Sequence, residues 1–176
     1  MPEPSPPTRI LGIDPGSRVT GFGVVDASGP QYRHVAHGCI RTEAGSLTER
    51  LLEIHRRVIE LIHTWNPCEA AVETVFVKQR AASALVLGHA RGTILLALGQ
   101  HAMPLAEYAP AQVKSAIAGH GRAEKAQIQT MVRLLLNLRE SPAADAADAL
   151  ALAICHAHWR RVQRVAGGVL AGPRAR

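Results

Sequence analysis

A chain of 176 residues is long enough for one domain with a sizeable core, and with 47% of its residues apolar but only 3% aromatic, alanine, leucine and valine must fill that core. No apolar run reaches the length expected of a membrane-spanning helix, the N-terminus lacks a signal-peptide pattern, and three scattered cysteines (Cys39, Cys68, Cys155) give no disulfide framework, so a reducing cytoplasm is the expected setting. The formal charge of +6 is carried by the end of the chain: five of the 20 basic residues lie in 160–176, which holds no acid, leaving 15 basic against 14 acidic before it, so charge alone does not argue for nucleic acid.

In chain order, residues 1–8 are proline-rich and read as a disordered lead-in, followed by a domain over 9–160 and a flexible basic tail over 161–176. Arg9–Asp14 reads as a buried strand turned by Pro15-Gly16-Ser17. Gly21–Asp26 is a second strand, Ser28-Gly29-Pro30 a hairpin turn, and Tyr32–Ile40 a third strand. Leu47, Leu51, Ile54, Val58 and Leu61 have helical spacing, and that helix stops before Asn66-Pro67. Glu69–Val75 is a fourth strand, Ala81 to about Gly99 a long helix, and Leu105–Tyr108 a fifth strand. Pro110 opens a helix to about Ala118, Gly119-His120-Gly121 breaks it, and two more helices follow over Ala123–Leu138 and Ala143 to about Arg160. The order implies an α/β fold, a mixed five-stranded sheet flanked by helices on both faces.

Four acids sit badly in this pattern. Asp14 ends the apolar run of the first strand, Glu73 interrupts the fourth, and Asp145 and Asp148 lie three apart among alanines, leucines and isoleucine. A buried, unpaired carboxylate costs several kcal/mol or gives up its charge. Residues three apart share a helix face, and the surrounding alanines let that face approach a sheet closely. A shared counter-ion, one or two hard divalent cations on oxygen ligands, resolves the conflict and points to phosphoryl chemistry. With those four acids occupied, 15 basic groups face 10 acidic ones, a balance suited to a polyanion. Taken alone, the Asp14-Pro15-Gly16 turn also suits an ATPase or sugar kinase, but such proteins carry a second phosphate loop and a second lobe that this length does not accommodate. Cys155-His156-Ala157-His158 lacks a second ligand pair for zinc. His156 continues the Asp148 stripe, so either a role beside the metal or a structural hydrogen bond is open to it; His120 is equally open.

Taken together, Gly12-Ile-Asp-Pro-Gly-Ser-Arg-Val-Thr-Gly21, Gly38-Cys-Ile-Arg-Thr42, Glu73-x-Val-Phe76, Leu87-Gly-His-Ala-Arg-Gly92, Gln112-Val-Lys114, Ala123-Glu-Lys125 and Asp145-Ala-Ala-Asp-Ala-Leu-Ala151 resemble the RuvC Holliday junction resolvases over residues 9 to 158. The resemblance implies an RNase H-like fold, a homodimer, and Mg²⁺- or Mn²⁺-dependent nicking of two opposed strands of a four-way DNA junction. It makes Asp14, Glu73, Asp145 and Asp148 the metal-binding catalytic carboxylates, with two ions about 3.5–4 Å apart expected at such a site. It gives Lys114 and Lys125 roles in catalysis and DNA handling, and Phe76 a contact with bases near the junction centre. Lys78, Arg80 and Arg122 are further candidates for phosphate contacts. The implied partners are a junction-binding protein and a hexameric branch-migration motor. The long helix Ala81–Gly99, apolar around much of its circumference, is the candidate dimer surface.

Overall fold

The computed structural model describes residues 6–42, 45–74 and 81–165. Five strands, β1 (Thr8–Asp14), β2 (Val19–Ser28), β3 (Gln31–Arg41), β4 (Glu69–Glu73) and β5 (Leu105–Tyr108), form one sheet in the order β3-β2-β1-β4-β5. The hairpin strands pair antiparallel, whereas β1–β4 and β4–β5 are parallel. A bulge between Val24 and Val25 shifts the β2–β3 register. The helices are α1 (Leu47–Trp65), α2 (Ala81–Gln100), α3 (Pro110–Ala118), α4 (Lys125–Leu135) and α5 (Ala144–Val165).

Strand alternation divides the core in two. Leu11, Ile13, Val24, Ala70 and Val72 face α1 and α2, where they meet Ile54, Val58, Ile94 and Leu98. Ile10, Val25 and Ala71 face the other way, onto a layer built by α3, α4 and α5. Along β1 the α5 side therefore takes Ile10, Gly12 and then Asp14.

On that side α5 lies almost on the sheet backbone. A Cβ at Gly12 would fall 2.0 Å from the Ala149 carbonyl oxygen, and one at Gly21 would fall 2.0 Å from that of Asp145. At Gly23, a Cβ would meet Leu150 at 2.7 Å. Only bare backbone fits beneath this helix, which is why its inward residues are mostly alanines, among them Ala146, Ala149 and Ala153, all fully buried.

Several boundaries differ from the sequence expectation. The last helix runs to Val165 rather than ending near Arg160, so the start of the expected basic tail is helical. α4 begins at Lys125 and ends at Leu135, because Asn137 turns left-handed (φ 50°) and Leu138 N–H returns to the Arg133 carbonyl. β4 stops at Glu73, and Thr74 N–H caps the strand pair by donating to the Tyr108 carbonyl at 2.9 Å.

Residues 82–100 of α2 are also long and apolar enough, by length and composition, to cross a membrane, contrary to the expectation. Here they serve a core: Ala90, Ile94, Ala97 and Leu98 are fully buried, and Arg91 pairs with Glu107 on β5. Nor is α2 internal all round, since Leu85 and Leu96 are 61% and 58% exposed.

The glycine contact gives a direct test. Gly12→Ala forces α5 away from the sheet and should destabilise the fold by about 1–3 kcal/mol, read as a lowered melting temperature. An unchanged melting temperature would contradict the contact.

Candidate active site

Asp14 is the last residue of β1 and Glu73 the last of β4. The parallel register pairs Ile13 with Val72, so the next residues, Asp14 and Glu73, end adjacent strands side by side. Both follow residues that face α1 and α2, so both carboxylates turn to the α5 side. The chain leaves β1 through a turn fastened by Thr20, whose hydroxyl donates to the Gly16 carbonyl at 2.7 Å.

Asp145 and Asp148 occupy the first turns of α5. The approach at Gly21 seats the Asp145 backbone against β2, and one turn on, Asp148 reaches the strand ends. A cavity of about 170 Å³ is lined by Asp14, Glu73, Asp148, Lys114 and Lys125, with Val113, Ile128 and Leu152 forming its apolar walls. Lys114 comes from α3 and Lys125 from the first turn of α4. Asp145 does not line this cavity, but its charge acts on Asp14. Arg122 is exposed in the loop before α4. Phe76, Lys78 and Arg80 lie outside the described residues.

The electrostatics are those of an overcharged site. Burial, reinforced by Asp148, Glu73 and Asp145, pushes the Asp14 carboxyl up to about 8 from its ordinary 3.8. Burial and Asp148 also raise Glu73, against the opposing pull of Lys125 and Lys114. Lys125 Nζ lies 2.7 Å from Asp148 Oδ2, and that hydrogen bond raises the lysine. A cationic group thus already stands against one carboxylate, yet Asp14 still resists ionising.

Among the described residues, no three His, Cys, Asp or Glu groups stand placed to enclose one ion as the side chains lie. The donor chemistry nonetheless fits a hard divalent cation. The donors are all carboxylate oxygens, and their excess negative charge is what such an ion neutralises.

His156 is not part of this cluster. Its Nδ1 is 2.8 Å from the Tyr108 hydroxyl and its Nε2 2.6 Å from Glu69 Oε2, at the opposite end of β4 from Glu73. Arg160 completes that network, with Nε 2.7 Å from the same Glu69 oxygen. Of its two sequence options the structural one holds. His120 is exposed in the α3–α4 loop.

Sequence reasoning passed over the one buried acid among the described residues, the four site carboxylates being half-buried. Asp26 is only 3% exposed, but it accepts from Arg9 Nε at 2.7 Å and Nη2 at 3.0 Å and also pairs with Arg33. The Arg9 hydrogen bonds hold its carboxyl below the usual range. It also passed over the apolar walls Val113 and Ile128, whose helical spacing marks them only as core.

The raised Asp14 value sets a sign. An acid whose folded value lies above its unfolded one adds stability fully below about pH 4, and that stability is lost as pH rises through about 8. Without divalent metal, Asp14→Asn should therefore stabilise the protein at pH 8 by about 1–2 kcal/mol, a few degrees in melting temperature, with the gain vanishing near pH 4. Thermal scans across pH in chelator check it; a variant less stable than the parent at pH 8 would refute the overcharged site.

The family model described as crossover junction endodeoxyribonuclease RuvC matches residues 10–156. A crossover junction endodeoxyribonuclease RuvC from Halorhodospira halophila is 59% identical over 155 residues, 87% of this chain and 92% of that protein. The structure of Thermus thermophilus RuvC in complex with Holliday junction substrate is similar with a TM-score of 0.83 at 37% identity, covering 88% of this chain and 96% of that one. The yeast mitochondrial Holliday junction resolvase Ydc2, 15% identical with a TM-score of 0.60, shares the fold. The fold is RNase H-like, as expected, and the chain belongs to the RuvC family of crossover junction endodeoxyribonucleases.

Proposed function

We propose that this protein resolves Holliday junctions by paired, metal-dependent nicks in opposed strands, leaving 5′-phosphate and 3′-hydroxyl ends that a ligase can seal. The observation that carries the reading is one cavity in which three carboxylates, Asp14, Glu73 and Asp148, face two lysines, Lys114 and Lys125. Carboxylates alone would repel a phosphodiester; the lysines supply attraction and stabilise charge developing on the phosphate.

Asp14, Glu73, Asp145 and Asp148 would hold Mg²⁺ or Mn²⁺, as two ions per site in our reading. When bound, such ions supply an activated water and neutralise the leaving 3′-oxygen. Lys125 must then exchange its Asp148 contact for the phosphate, while Lys114 approaches from α3. Val113, Ile128 and Leu152 keep one side of the site dry, which strengthens these charge interactions. Arg122, exposed beside Lys125, is a candidate contact to a flanking phosphate. Roles for Phe76 against bases and for Lys78 and Arg80 on phosphates rest on the sequence resemblance. So do the two partner proteins, the junction-binding protein and the branch-migration motor, and the cytoplasmic setting.

One chain holds one carboxylate cluster, so two coordinated cuts call for two copies. The outward side of α2 suits that pairing. Leu85 and Leu96 are exposed there, and nothing lies within 4 Å of where a Cβ would stand on Gly88, Gly92 or Gly99. A bare helix ridge between two leucines lets a partner helix approach closely, and two-fold pairing would present two sites to a two-fold junction.

Two tests follow. Asp14→Asn, Glu73→Gln and Asp148→Asn should each abolish Mg²⁺-dependent cleavage of a labelled four-way junction while retaining junction binding, and Lys114→Ala or Lys125→Ala should slow cleavage by about 10²–10³-fold. Full activity in any carboxylate variant would remove that residue from the site. Separately, Leu96→Glu should convert a dimer seen by sedimentation at micromolar concentration into monomers and turn paired cuts on a supercoiled cruciform into single nicks. A parent protein that is strictly monomeric and still cuts both strands in concert would overturn the pairing.

A further inference from the structure

The sheet has a second charged end, and it is positive. At the end of β1 away from Asp14, Thr8, the Ser28–Gly29 turn and the last turns of α5 enclose a cavity of about 280 Å³ into which Arg160, Arg161 and Arg164 project. The nearby acids are already compensated: Asp26 by Arg9 and Arg33, and Glu69 by Arg160 and His156. Arg161 and Arg164 are exposed and, among the described residues, form no ion pair with a carboxylate. Arg160 is held in place, with Nε on Glu69 and Nη1 donating to the Thr8 hydroxyl at 3.0 Å. Two hydroxyl-bearing residues, Thr8 and Ser28, and a fixed guanidinium beside two exposed ones make a cradle suited to phosphate oxygens. Lone arginines at a helix C-terminus are explained by the helix dipole; three arginines lining one cavity together with Thr8 and Ser28 are not.

We infer that this cavity is a second phosphate contact for duplex DNA, separate from the cleavage site. β1 spans seven residues, so the two lie about 20 Å apart along the strand. A contact at that remove cannot touch the scissile phosphate. It would grip backbone farther along a junction arm and add affinity without reading sequence. The inference rests on the reading of the protein as a junction-binding nuclease.

The test uses Arg161→Ala/Arg164→Ala, which spares the Arg160 anchor, and Arg161→Glu/Arg164→Glu. Junction and linear-duplex binding are measured without divalent metal across a salt series, with melting temperatures confirming the fold. The alanine pair should weaken both DNAs and reduce the slope of log affinity against log salt by about 1–2, and the glutamate pair should weaken them further. A parent that binds no junction would refute the nuclease reading itself. If the parent binds and both variants match it in affinity and slope, the second contact is wrong. Saturable stabilisation by inorganic pyrophosphate, lost in the variants while DNA slopes stay unchanged, would also overturn it, because the cradle would then serve a free anion.

Discussion

Everything at the carboxylate-rich end of the sheet hangs on how closely α5 can approach it. Side chains normally act as a spacer between a helix and the sheet it covers. Here Gly12, Gly21 and Gly23 remove that spacer under one helix, and the alanines of α5 remove it from the other side. The gain is geometric. Asp145 and Asp148 sit at the front of a helix pressed against β1 and β2, so they share the end of the sheet with Asp14 and Glu73. Little side-chain volume is buried at this seam, and the larger residues Ile10, Leu11, Ile13 and Leu152 stabilise the fold around it.

The molecule handles buried charge in two opposite ways. At the Asp26 end, two guanidiniums satisfy one carboxylate, and Arg9 also donates to the Trp65 carbonyl at 3.0 Å, tying the hairpin to the end of α1. That acid is structural and titrates low. At the Asp14 end several carboxylates converge with too few cations, and the result is a group that resists ionising. The difference separates a carboxylate whose charge is satisfied within the fold from carboxylates whose charge is not.

Much of this was legible in the chain. Asp14 and Glu73 stood out because a polar residue in an otherwise apolar strand violates its pattern, and Asp145 and Asp148 because helix spacing puts them on one face amid alanines. The mixed five-stranded sheet with helices on both faces followed from the succession of elements, whereas the order β3-β2-β1-β4-β5 is set by the pairing seen in the structure. Asp26 was not legible as a buried acid: its partners lie 17 residues before it and 7 after, and their meeting depends on strand register. Lys114 and Lys125 were legible only through the family resemblance, because their convergence depends on how α3 and α4 pack against α5. Helix ends were misjudged where one residue decides, as at Asn137, whose left-handed backbone closes α4 early.

Both margins of the sheet are disarmed, by different means. β5 is four residues long, too short to template another strand. β3 is eleven residues long, but the bulge opposite Val24 and Val25 bends the ribbon, and Arg33, His34, His37 and Arg41 line it. A copy of the chain therefore gains little by extending the sheet. The long margin that remains, β3, could slip in register if it paired with another strand, and the bulge and the charged residues on it oppose such pairing.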